Sequence, residues 1–473
     1  AEIYSFMNRP TADVRLHNSC WAVAHHVLCE RRSAVGRCLH LRKDASRQKL
    51  SYLTRENKQV TEAFPQNLSF YDNYFMIGLL IWRFLCIFAA KKKLNMLNNP
   101  FVTNGYAGAE YFCDRVEETE FLVRMLTNEN NIALISTRRL GKTDLIRHCF
   151  EQPEIKENYH TFIIDIYATK NLEDFVNVLG KAILENLRSK GRKAWELFLN
   201  IALSLRSEVS FDINGSPVWG IGLGNVPNPS VALDEIFRYL SQADRHCLVA
   251  IDEFQQITHY DDGENIEATL RTYIQRCTNA NFIFSGSHRH LMGEMFTSPA
   301  RPFYQSVTIF NLKPIPLDKY KAFATEKFEQ AGKHLADGVV ENLYERFNSI
   351  TSYMQKVMNY MYQLTMKGET CTQPMIDDAI NYILDISSDT YEGMLYQMPE
   401  KQRNVFLAIG RDREVKGISG GNFAKRHHLP SPSAVVSAVK GLLEKDFITQ
   451  DKNVYKIYDQ FFQLWLDREV FTG

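Results

Sequence analysis

Residues 131–143, NIALISTRRLGKT, decide the fold class of this chain. They begin with a short apolar run, typical of a strand buried on both faces, and helical spacing follows over residues 141–150. Between strand and helix, residues 136–143 match the pattern G-x-x-x-x-G-K-[ST], except that Ser136 stands at the first glycine position. A strand, a loop and a helix in this order form the context in which this pattern binds phosphate.

The residue types of this loop predict a nucleotide site with Mg²⁺. Backbone N–H groups of the loop and of the helix N-terminus would face the β-phosphate. Lys142 would bridge the β- and γ-phosphates, Thr143 would contribute its hydroxyl to the Mg²⁺ shell, and Gly141 would allow close backbone approach. The predicted nucleotide-binding residues are Ser136, Thr137, Arg138, Arg139, Leu140, Gly141, Lys142, Thr143 and Asp144.

A second apolar strand, in residues 246–253 (HCLVAIDE), ends in the carboxylates of Asp252 and Glu253. Ligands bind at the carboxyl ends of strands in open parallel sheets, so this pair belongs at the same edge as the phosphate loop. Asp252 would hold Mg²⁺, with Thr143 as the other predicted metal ligand. Glu253 would orient and deprotonate the attacking water.

Residues 283–287 (IFSGS) form a third strand that ends in small polar residues. A hydroxyl there would lie between the γ-phosphate and the acidic pair, where it would respond to hydrolysis. The predicted catalytic residues are therefore Lys142, Glu253 and Ser287. Asp165, in another predicted strand, is either a structural hydrogen-bond acceptor or a helper in the site.

From residue 101 onward, short apolar runs alternate with amphipathic helical stretches, the pattern of a parallel α/β sheet. The predicted strands are 131–136, 160–167, 247–251, 281–285 and 306–312, and residues 207–222 predict a hairpin around Asn214-Gly215. A helix over 231–243 would be capped by Ser230.

The pattern changes after Pro314 and Pro316. Only helices are expected over residues 317–388, which predicts a helical lid. Three helices (400–409, 422–428 and 433–444), the last preceded by a turn and cap at residues 430–432, are followed by a hairpin of 447–450 and 454–457. This order is that of a winged helix. The predicted domains are 96–315 (ATPase core), 316–392 (lid) and 393–473 (winged helix).

These residues together resemble the archaeal-type ATPases, P-loop proteins of the AAA+/STAND group. The resemblance rests on Phe112-Cys113-Asp114-Arg115 with Glu118, the arginine-bearing phosphate loop, Ile251-Asp252-Glu253-Phe254-Gln255, Ser285-Gly286-Ser287, and Tyr455-Lys456-Ile457-Tyr458-Asp459 with Trp465-Leu466. It implies an ASCE core with strand order 5-1-4-3-2, a helical lid and a C-terminal winged helix over roughly 96–470. The phosphate loop and the acidic strand are its Walker A and Walker B elements.

Two departures from the family pattern concern the site. The stretch 350–355 (ITSYMQ) lacks the Gly-x-Pro motif with which a lid helix of many relatives begins, and Gln305 stands where relatives often carry an arginine. Arg289 and Arg301 are the remaining candidates for an arginine finger. We therefore expect slow ATP hydrolysis.

Arg138 and Arg139 have three possible roles. An arginine in the phosphate loop contacts the γ-phosphate, binds an acidic partner or loop carboxylate such as Asp114, or faces solvent.

The winged helix has a modest basic face. Lys425, Arg426, His427 and His428 precede its third helix and Lys440 lies within it, but that helix has no Arg or Asn to read base edges. Duplex DNA and a protein partner, including another copy of the chain, both remain candidate partners.

Residues 1–95 differ from the rest. Residues 1–100 carry 15 Lys and Arg against 7 Asp and Glu, while the whole chain has net charge zero. Residues 74–90 (YFMIGLLIWRFLCIFAA) are apolar apart from Arg83 and precede three lysines, which fits a membrane anchor, a buried helix or translated upstream sequence. The abrupt onset of ordered patterns favours the last interpretation, with Met96 as the start, and makes a membrane location unlikely.

The composition supports a globular, cytoplasmic protein. Apolar residues make up 45% of the 473-residue chain, and none of the nine cysteines belongs to a CxxC pair, which is typical of a reducing compartment. The sequence therefore predicts a Mg²⁺-dependent ATPase whose nucleotide state moves the lid and winged helix. The alternative is a nucleotide-switched DNA-binding or defence-type regulator with incidental hydrolysis.

Overall fold

The computed structural model describes residues 99–190, 209–211, 217–219, 228–451 and 453–472. The chain divides into two units, Ala1–Met96 and Leu97–Gly473, and all described residues belong to the second. The interpretations of residues 1–95, including the apolar segment 74–90, lie outside the described residues.

A parallel sheet lies at the centre of this unit. The strands in this part of the chain are β1 (Ile132–Ile135), β2 (His160–Asp165), β3 (Val209–Phe211), β4 (Pro217–Trp219), β5 (Cys247–Asp252), β6 (Ala280–Gly286) and β7 (Thr308–Asn311). Five of them form one sheet in the order β2-β5-β6-β1-β7, and β3 pairs with β4 in a separate antiparallel hairpin. If β3 and β4 are left out and the remaining five strands are numbered 1 to 5 along the chain, the order read from β7 is 5-1-4-3-2. This is the order that the resemblance implies.

Helices cover both faces of the sheet. They are α1 (Val116–Thr127), α2 (Lys142–Phe150), α3 (Pro153–Lys156), α4 (Leu172–Lys190), α5 (Pro229–Gln242), α6 (Gly263–Arg276) and α7 (Arg289–Thr297), with short 3-10 helices at Ala109–Tyr111 and Phe254–His259. The first three pack on one face and the other four on the opposite face. Every residue of β1, β5 and β6 is buried, which explains their uninterrupted apolar runs.

The cap of α5 differs from the prediction. The side chain of Asn228 accepts a hydrogen bond from the backbone N–H of Val231 at 3.3 Å. Pro229 then occupies the first turn, where a missing N–H costs nothing. The prediction of Ser230 as the cap was wrong, because the helix begins before that residue.

The lid contains α8 (Leu317–Gln330), α9 (Val339–Arg346), α10 (Thr351–Leu364) and α11 (Pro374–Gln397). It also contains two-residue strands, β8 (His334–Leu335) and β9 (Thr370–Cys371), which pair in parallel. The expectation of helices only was therefore wrong in this detail, since two residues are too few to produce a strand period.

The C-terminal part has the winged helix topology. It consists of α12 (Glu400–Asp412), β10 (Val415–Lys416), α13 (Gly421–Arg426), α14 (Pro432–Glu444), β11 (Ile448–Asp451), β12 (Val454–Ile457) and α15 (Gln460–Glu469). The sequence did not predict β10, which completes a three-stranded antiparallel sheet in the order β10-β12-β11. Ser431 caps α14 by accepting a hydrogen bond from the N–H of Ala434, as predicted.

The lid and the winged helix share one hydrophobic core. Its buried residues run from Tyr320 and Phe328 in the lid to Phe462 and Trp465 in α15. The 24-residue helix α11 continues without a break past residue 392. The boundary that the sequence predicts between the lid and the winged helix lies at that residue. This shared core is distinct from the two clusters that pack on the faces of the parallel sheet.

Two features of the described residues concern the requirements for a membrane span and for disulfide bonds. No helix among them combines the length and apolar character that a bilayer span needs. Their five cysteines, Cys113, Cys149, Cys247, Cys277 and Cys371, are all buried free thiols.

Candidate functional site

Three loops meet at the carboxyl edge of the sheet because β1, β5 and β6 are parallel and β6 lies between the other two. The phosphate loop follows β1, Asp252 and Glu253 lie at the end of β5, and Ser287 follows β6. Residues that are more than 100 positions apart in the chain thereby become neighbours, as the sequence predicts.

The phosphate loop ends in a sharp turn into α2. Gly141 has φ 85°, in the left-handed region that glycine adopts at no steric cost, and Lys142 is the first residue of the helix. Lys142 is buried, and its ammonium lies 3.4 Å from the hydroxyl of Ser136. Burial lowers the pKa of Lys142, while the carboxylates of Glu253 and Asp252 act in the opposite direction.

The predicted metal ligands, Thr143 and Asp252, are in contact. The Thr143 hydroxyl donates a hydrogen bond to Asp252 Oδ2, and Asp252 is 6% exposed. Hard oxygen donors of this kind suit Mg²⁺, which usually completes its octahedral shell with water and substrate phosphates. The described residues hold no cluster of three or more His, Cys, Asp or Glu side chains that would bind a metal unaided. The donor set therefore fits a Mg²⁺ ion that arrives with a nucleotide.

Glu253 is held in place by two neighbours. The hydroxyl of Ser287 donates to Glu253 Oε2 at 2.6 Å, and Gln255 Nε2 donates to the same oxygen at 2.6 Å. Burial raises the pKa of Glu253, but these hydrogen bonds and the charges of Lys142 and Arg138 outweigh that effect, so the pKa lies below its ordinary value. Glu253 is thus a carboxylate in a fixed orientation.

A cavity of about 290 Å³ opens beside the phosphate loop. Its lining includes the predicted nucleotide-binding residues Arg138, Arg139, Leu140, Gly141, Lys142, Thr143 and Asp144, together with Glu253. Burial raises the pKa of Asp144, and the Arg147 charge opposes that rise. Ser136 and Thr137 lie outside the lining: Ser136 is buried, and its hydroxyl donates to the Thr137 carbonyl at 2.7 Å.

Two further segments that lie outside the predicted nucleotide-binding residues also line the cavity. One is the stretch before α1, which contributes Tyr106 and Phe112. The other is the start of α10, which contributes Ser352 and Gln355. Ser352 also donates its backbone N–H to the carbonyl of Arg139 at 3.2 Å. The lid therefore approaches the phosphate loop here even though α10 lacks the Gly-x-Pro motif.

Arg115 is a further residue that sequence reasoning did not assign to the site. It is 2% exposed, and its guanidinium donates to Glu118 Oε1 at 2.6 Å, the Lys313 carbonyl at 2.7 Å and the Leu140 carbonyl at 3.3 Å. Its contact with Leu140 supports the phosphate loop from below. The sequence feature that could have revealed this role was the run Asp114-Arg115 with Glu118 three residues after the arginine. The family resemblance rests partly on this run but gives it no role.

Arg138 and Arg139 pair with carboxylates of the winged helix and not with Asp114. Arg138 Nη1 lies 2.7 Å from Asp446 Oδ2, and Arg139 Nη2 lies 3.2 Å from Asp459 Oδ2. In this structure both guanidinium groups therefore contact carboxylates of the same chain.

The other arginines and Asp165 lie apart from this contact. Arg301 pairs with Oε2 of the fully buried Glu267 at 2.6 Å, and burial raises the pKa of Glu267 to about 7. Arg289 is exposed at the start of α7. Asp165 accepts a hydrogen bond from the backbone N–H of Tyr167 at 2.9 Å, a structural contact. Burial and the charges of Asp252 and Glu253 raise the pKa of Asp165.

The strand order and the phosphate loop at the end of β1 define the class of this protein, a P-loop ATPase fold with a C-terminal winged helix. The chain belongs to the family described as "ATPase domain predominantly from Archaea", which matches residues 112–367, more than half of its length. A second match, to a "probable winged helix domain", covers residues 389–468. A comparison with curated proteins finds no match.

Several solved structures are similar to this chain at low sequence identity. The Walker-type ATPase of Pyrococcus abyssi is 16% identical, with a TM-score of 0.53 over 78% of this chain and 99% of that one. The Aeropyrum pernix ORC1 protein in complex with DNA is 11% identical, with a TM-score of 0.46 over 79% and 97% of the two chains. Thermotoga maritima RuvB, a Holliday junction branch migration motor, is 12% identical, with a TM-score of 0.38 over 78% and 99%.

Proposed function

We propose that this protein binds ATP with Mg²⁺, hydrolyses it slowly, and uses the nucleotide state to move its lid and winged helix against the ATPase core. The observation that carries the proposal is a cavity lined by Lys142, Thr143 and Glu253 at the carboxyl edge of the sheet. Asp252 and Ser287 lie directly behind this lining, because they form hydrogen bonds with Thr143 and Glu253. Each chemical role that phosphoryl transfer needs has a residue of suitable type in reach of the same space.

The triphosphate would lie along the N-terminus of α2. The backbone N–H groups of the loop and first helical turn would donate to the β-phosphate, and the Lys142 ammonium would contact β- and γ-oxygens. Lys142 is 6% exposed, so its charge would act with little screening by water. The base would lie near Tyr106 and Phe112, which also line the cavity.

Thr143 and Asp252 are the residues that would hold Mg²⁺. When bound, the ion supplies positive charge that offsets the charge developing on the β- and γ-phosphates. Asp252 is buried on strand β5, which fixes its carboxylate relative to the loop. Thr143 would exchange its present hydrogen bond to Asp252 for a place in the metal shell.

Glu253 would take the proton of the attacking water. Its lowered pKa keeps it ionised at neutral pH, and ionisation is required of a general base. In this structure Glu253 Oε2 already accepts hydrogen bonds from Ser287 and Gln255, so one of its oxygens is occupied. The two hydrogen bonds to Glu253 Oε2 support slow basal ATP hydrolysis, because that oxygen is not free to accept a proton from water. Gln305, which stands where relatives often carry an arginine, supports the same expectation.

The lid and winged helix would move as one body, because they share a hydrophobic core. The proposed segments remain 96–315 for the core, 316–392 for the lid and 393–473 for the winged helix. Such a nucleotide-dependent switch of the STAND type needs a partner, either a protein or another copy of the chain. The free thiols of the described cysteines support a cytoplasmic location.

Duplex DNA is the alternative partner, and the A. pernix ORC1 neighbour was solved with DNA. Lys425 is exposed, but Arg426 and His427 both pair with Asp412, and Lys440 lies 3.9 Å from Glu444. These pairings leave a weak positive field on α13 and α14. We therefore propose a protein partner first and expect any DNA binding to be weak and lost with added salt.

The test is steady-state ATP hydrolysis by the full chain with Mg²⁺, with and without duplex DNA. Lys142→Ala and Glu253→Gln should abolish turnover. Lys319→Ala and Glu120→Gln, which make the same changes at exposed positions in α8 and α1, should leave it unchanged. Activity that survives in both site variants would refute the proposal, and stimulation by DNA would favour the DNA-binding alternative.

A further inference from the structure

Two carboxylates of the winged helix hold the two arginines of the phosphate loop. Asp446 follows α14 and binds Arg138 at 2.7 Å, and Asp459 precedes α15 and binds Arg139 at 3.2 Å. Asp459 is itself fixed, because its Oδ1 accepts hydrogen bonds from the backbone N–H groups of Phe461 and Phe462 in the first turn of α15. The two pairs tie one loop of the ATPase core to both ends of the winged-helix hairpin.

Aromatic rings surround these pairs. The ring of Tyr458 lies close to both guanidinium groups, 5.5 Å from that of Arg138 and 5.0 Å from that of Arg139. The ring of Tyr353, in α10, lies 4.7 Å from the Arg139 guanidinium. The four charged side chains are 19–31% exposed, so water screens these pairs less than it screens ordinary surface pairs. The run Tyr458-Asp459, singled out in the sequence without a role, thus lies at this contact.

The Arg138 contact leads directly to the proposed catalytic base. Arg138 Nε donates to Ser287 Oγ at 3.1 Å, and the Ser287 hydroxyl donates to Glu253 Oε2 at 2.6 Å. Asp446, Arg138, Ser287 and Glu253 therefore form one continuous chain of polar contacts. Because Arg138 lines the cavity with Lys142 and contacts Ser287, it lies at the end where a γ-phosphate would be.

We propose that Asp446 and Asp459 form a clasp that ATP opens: the γ-phosphate competes with the winged-helix carboxylates for the phosphate-loop arginines. In the closed state the winged helix is held on the loop and Ser287 holds Glu253. When the γ-phosphate takes Arg138, the ion pair to Asp446 is lost and the winged helix is released from the loop. This inference rests on the proposed function and names Asp446 and Asp459 as positioning residues for the site.

Nucleotide affinity tests the competition. Asp446→Asn in the full chain should bind ATP·Mg²⁺ about three- to tenfold more tightly than the wild type, because a competing carboxylate of a partly buried ion pair is removed. ADP affinity should change less, since ADP lacks the phosphate that competes. Asp446→Glu keeps the carboxylate and should restore most of the wild-type ratio of ATP to ADP affinity.

The matched control is Asp451→Asn, the same substitution at an exposed position of β11 five residues away. It should leave both affinities unchanged. Equal ATP and ADP affinities in Asp446→Asn and wild type would overturn the clasp. Weaker ATP binding would also overturn it, because Asp446 would then prepare Arg138 for the phosphate and not compete with it.

Hydrogen exchange separates the clasp from the proposed function. The amides of residues 446–459 should exchange faster in wild type when a non-hydrolysable ATP analogue with Mg²⁺ is added. In Asp446→Asn they should exchange faster without any nucleotide. Analogue binding with unchanged exchange would overturn the clasp and leave the ATPase proposal standing. A wild type that binds no analogue would overturn both.

Discussion

Replacement of Gly286 by alanine would place a methyl group where the end of β6 approaches its neighbours most closely. A Cβ built at this position lies 2.5 Å from both Gln255 Oε1 and Met292 Cγ, and closer still to Met292 Sδ. Ordinary contacts between such atoms need about 3.5 Å, so both side chains must retreat by about 1 Å. Gln255 is the side chain that donates to Glu253 at 2.6 Å, and the substitution therefore acts on the proposed base.

The expected loss of stability is the difference between two opposing effects. Overpacking of a tight core costs about 1–3 kcal/mol, while alanine is favoured over glycine in a strand by about 0.5–1 kcal/mol. A net loss of about 1–2 kcal/mol should appear as a lower midpoint in urea unfolding. Turnover should fall about tenfold to a hundredfold, because Glu253 loses the support of Gln255.

Gly293→Ala is the matched control for this prediction. Gly293 lies inside α7, and a Cβ there meets no atom within 4 Å. Alanine in a helix interior is favoured over glycine by about 0.8–1 kcal/mol, so this variant should be slightly more stable with unchanged turnover. A Gly286→Ala protein that is as stable and as active as wild type would refute the reasoning.

Two further predictions concern the supports of the site. Arg115→Ala should lower the free energy of unfolding by about 2–4 kcal/mol and weaken ATP binding, because Glu118 and the Leu140 carbonyl lose a buried partner; an unchanged urea midpoint would contradict it. Ser287→Ala should raise the pKa of Glu253 and move the acid limb of the pH–rate profile to higher pH, because a hydrogen bond to the carboxylate is lost. The pKa of Glu253 is lower in the folded protein than in the unfolded chain, so ionised Glu253 stabilises the fold above its unfolded-state pKa, and this stabilisation is lost as pH falls through its folded-state pKa. Ser287→Ala should therefore also reduce the change of stability with pH between these two pKa values of Glu253. A variant whose pH–rate profile coincides with that of the wild type would count against this role of Ser287.

Much of the fold was predictable because its signals are local. The uninterrupted apolar runs of β1 and β5 are typical of buried strands, and the glycine and lysine at residues 141 and 142 mark the turn into a phosphate-binding helix. Details that depend on two or three residues were not predictable. The strand β10 and the β8–β9 pair carry no period, and the choice of Asn228 over Ser230 as a cap depends on where α5 begins.

The sequence by itself determined the class of the protein and, through the resemblance, the order of the strands. It also determined which residue types meet at the carboxyl edge, because the carboxyl ends of parallel strands lie at the same edge of the sheet for any conformation of the connecting loops. Only the tertiary structure decided the partners of long charged side chains. Arg138 and Arg139 pair with Asp446 and Asp459, more than 300 positions away, and Arg115 reaches beneath the phosphate loop. Such contacts follow from how helices pack into one body, as the lid and winged helix do, and no spacing along the chain encodes them.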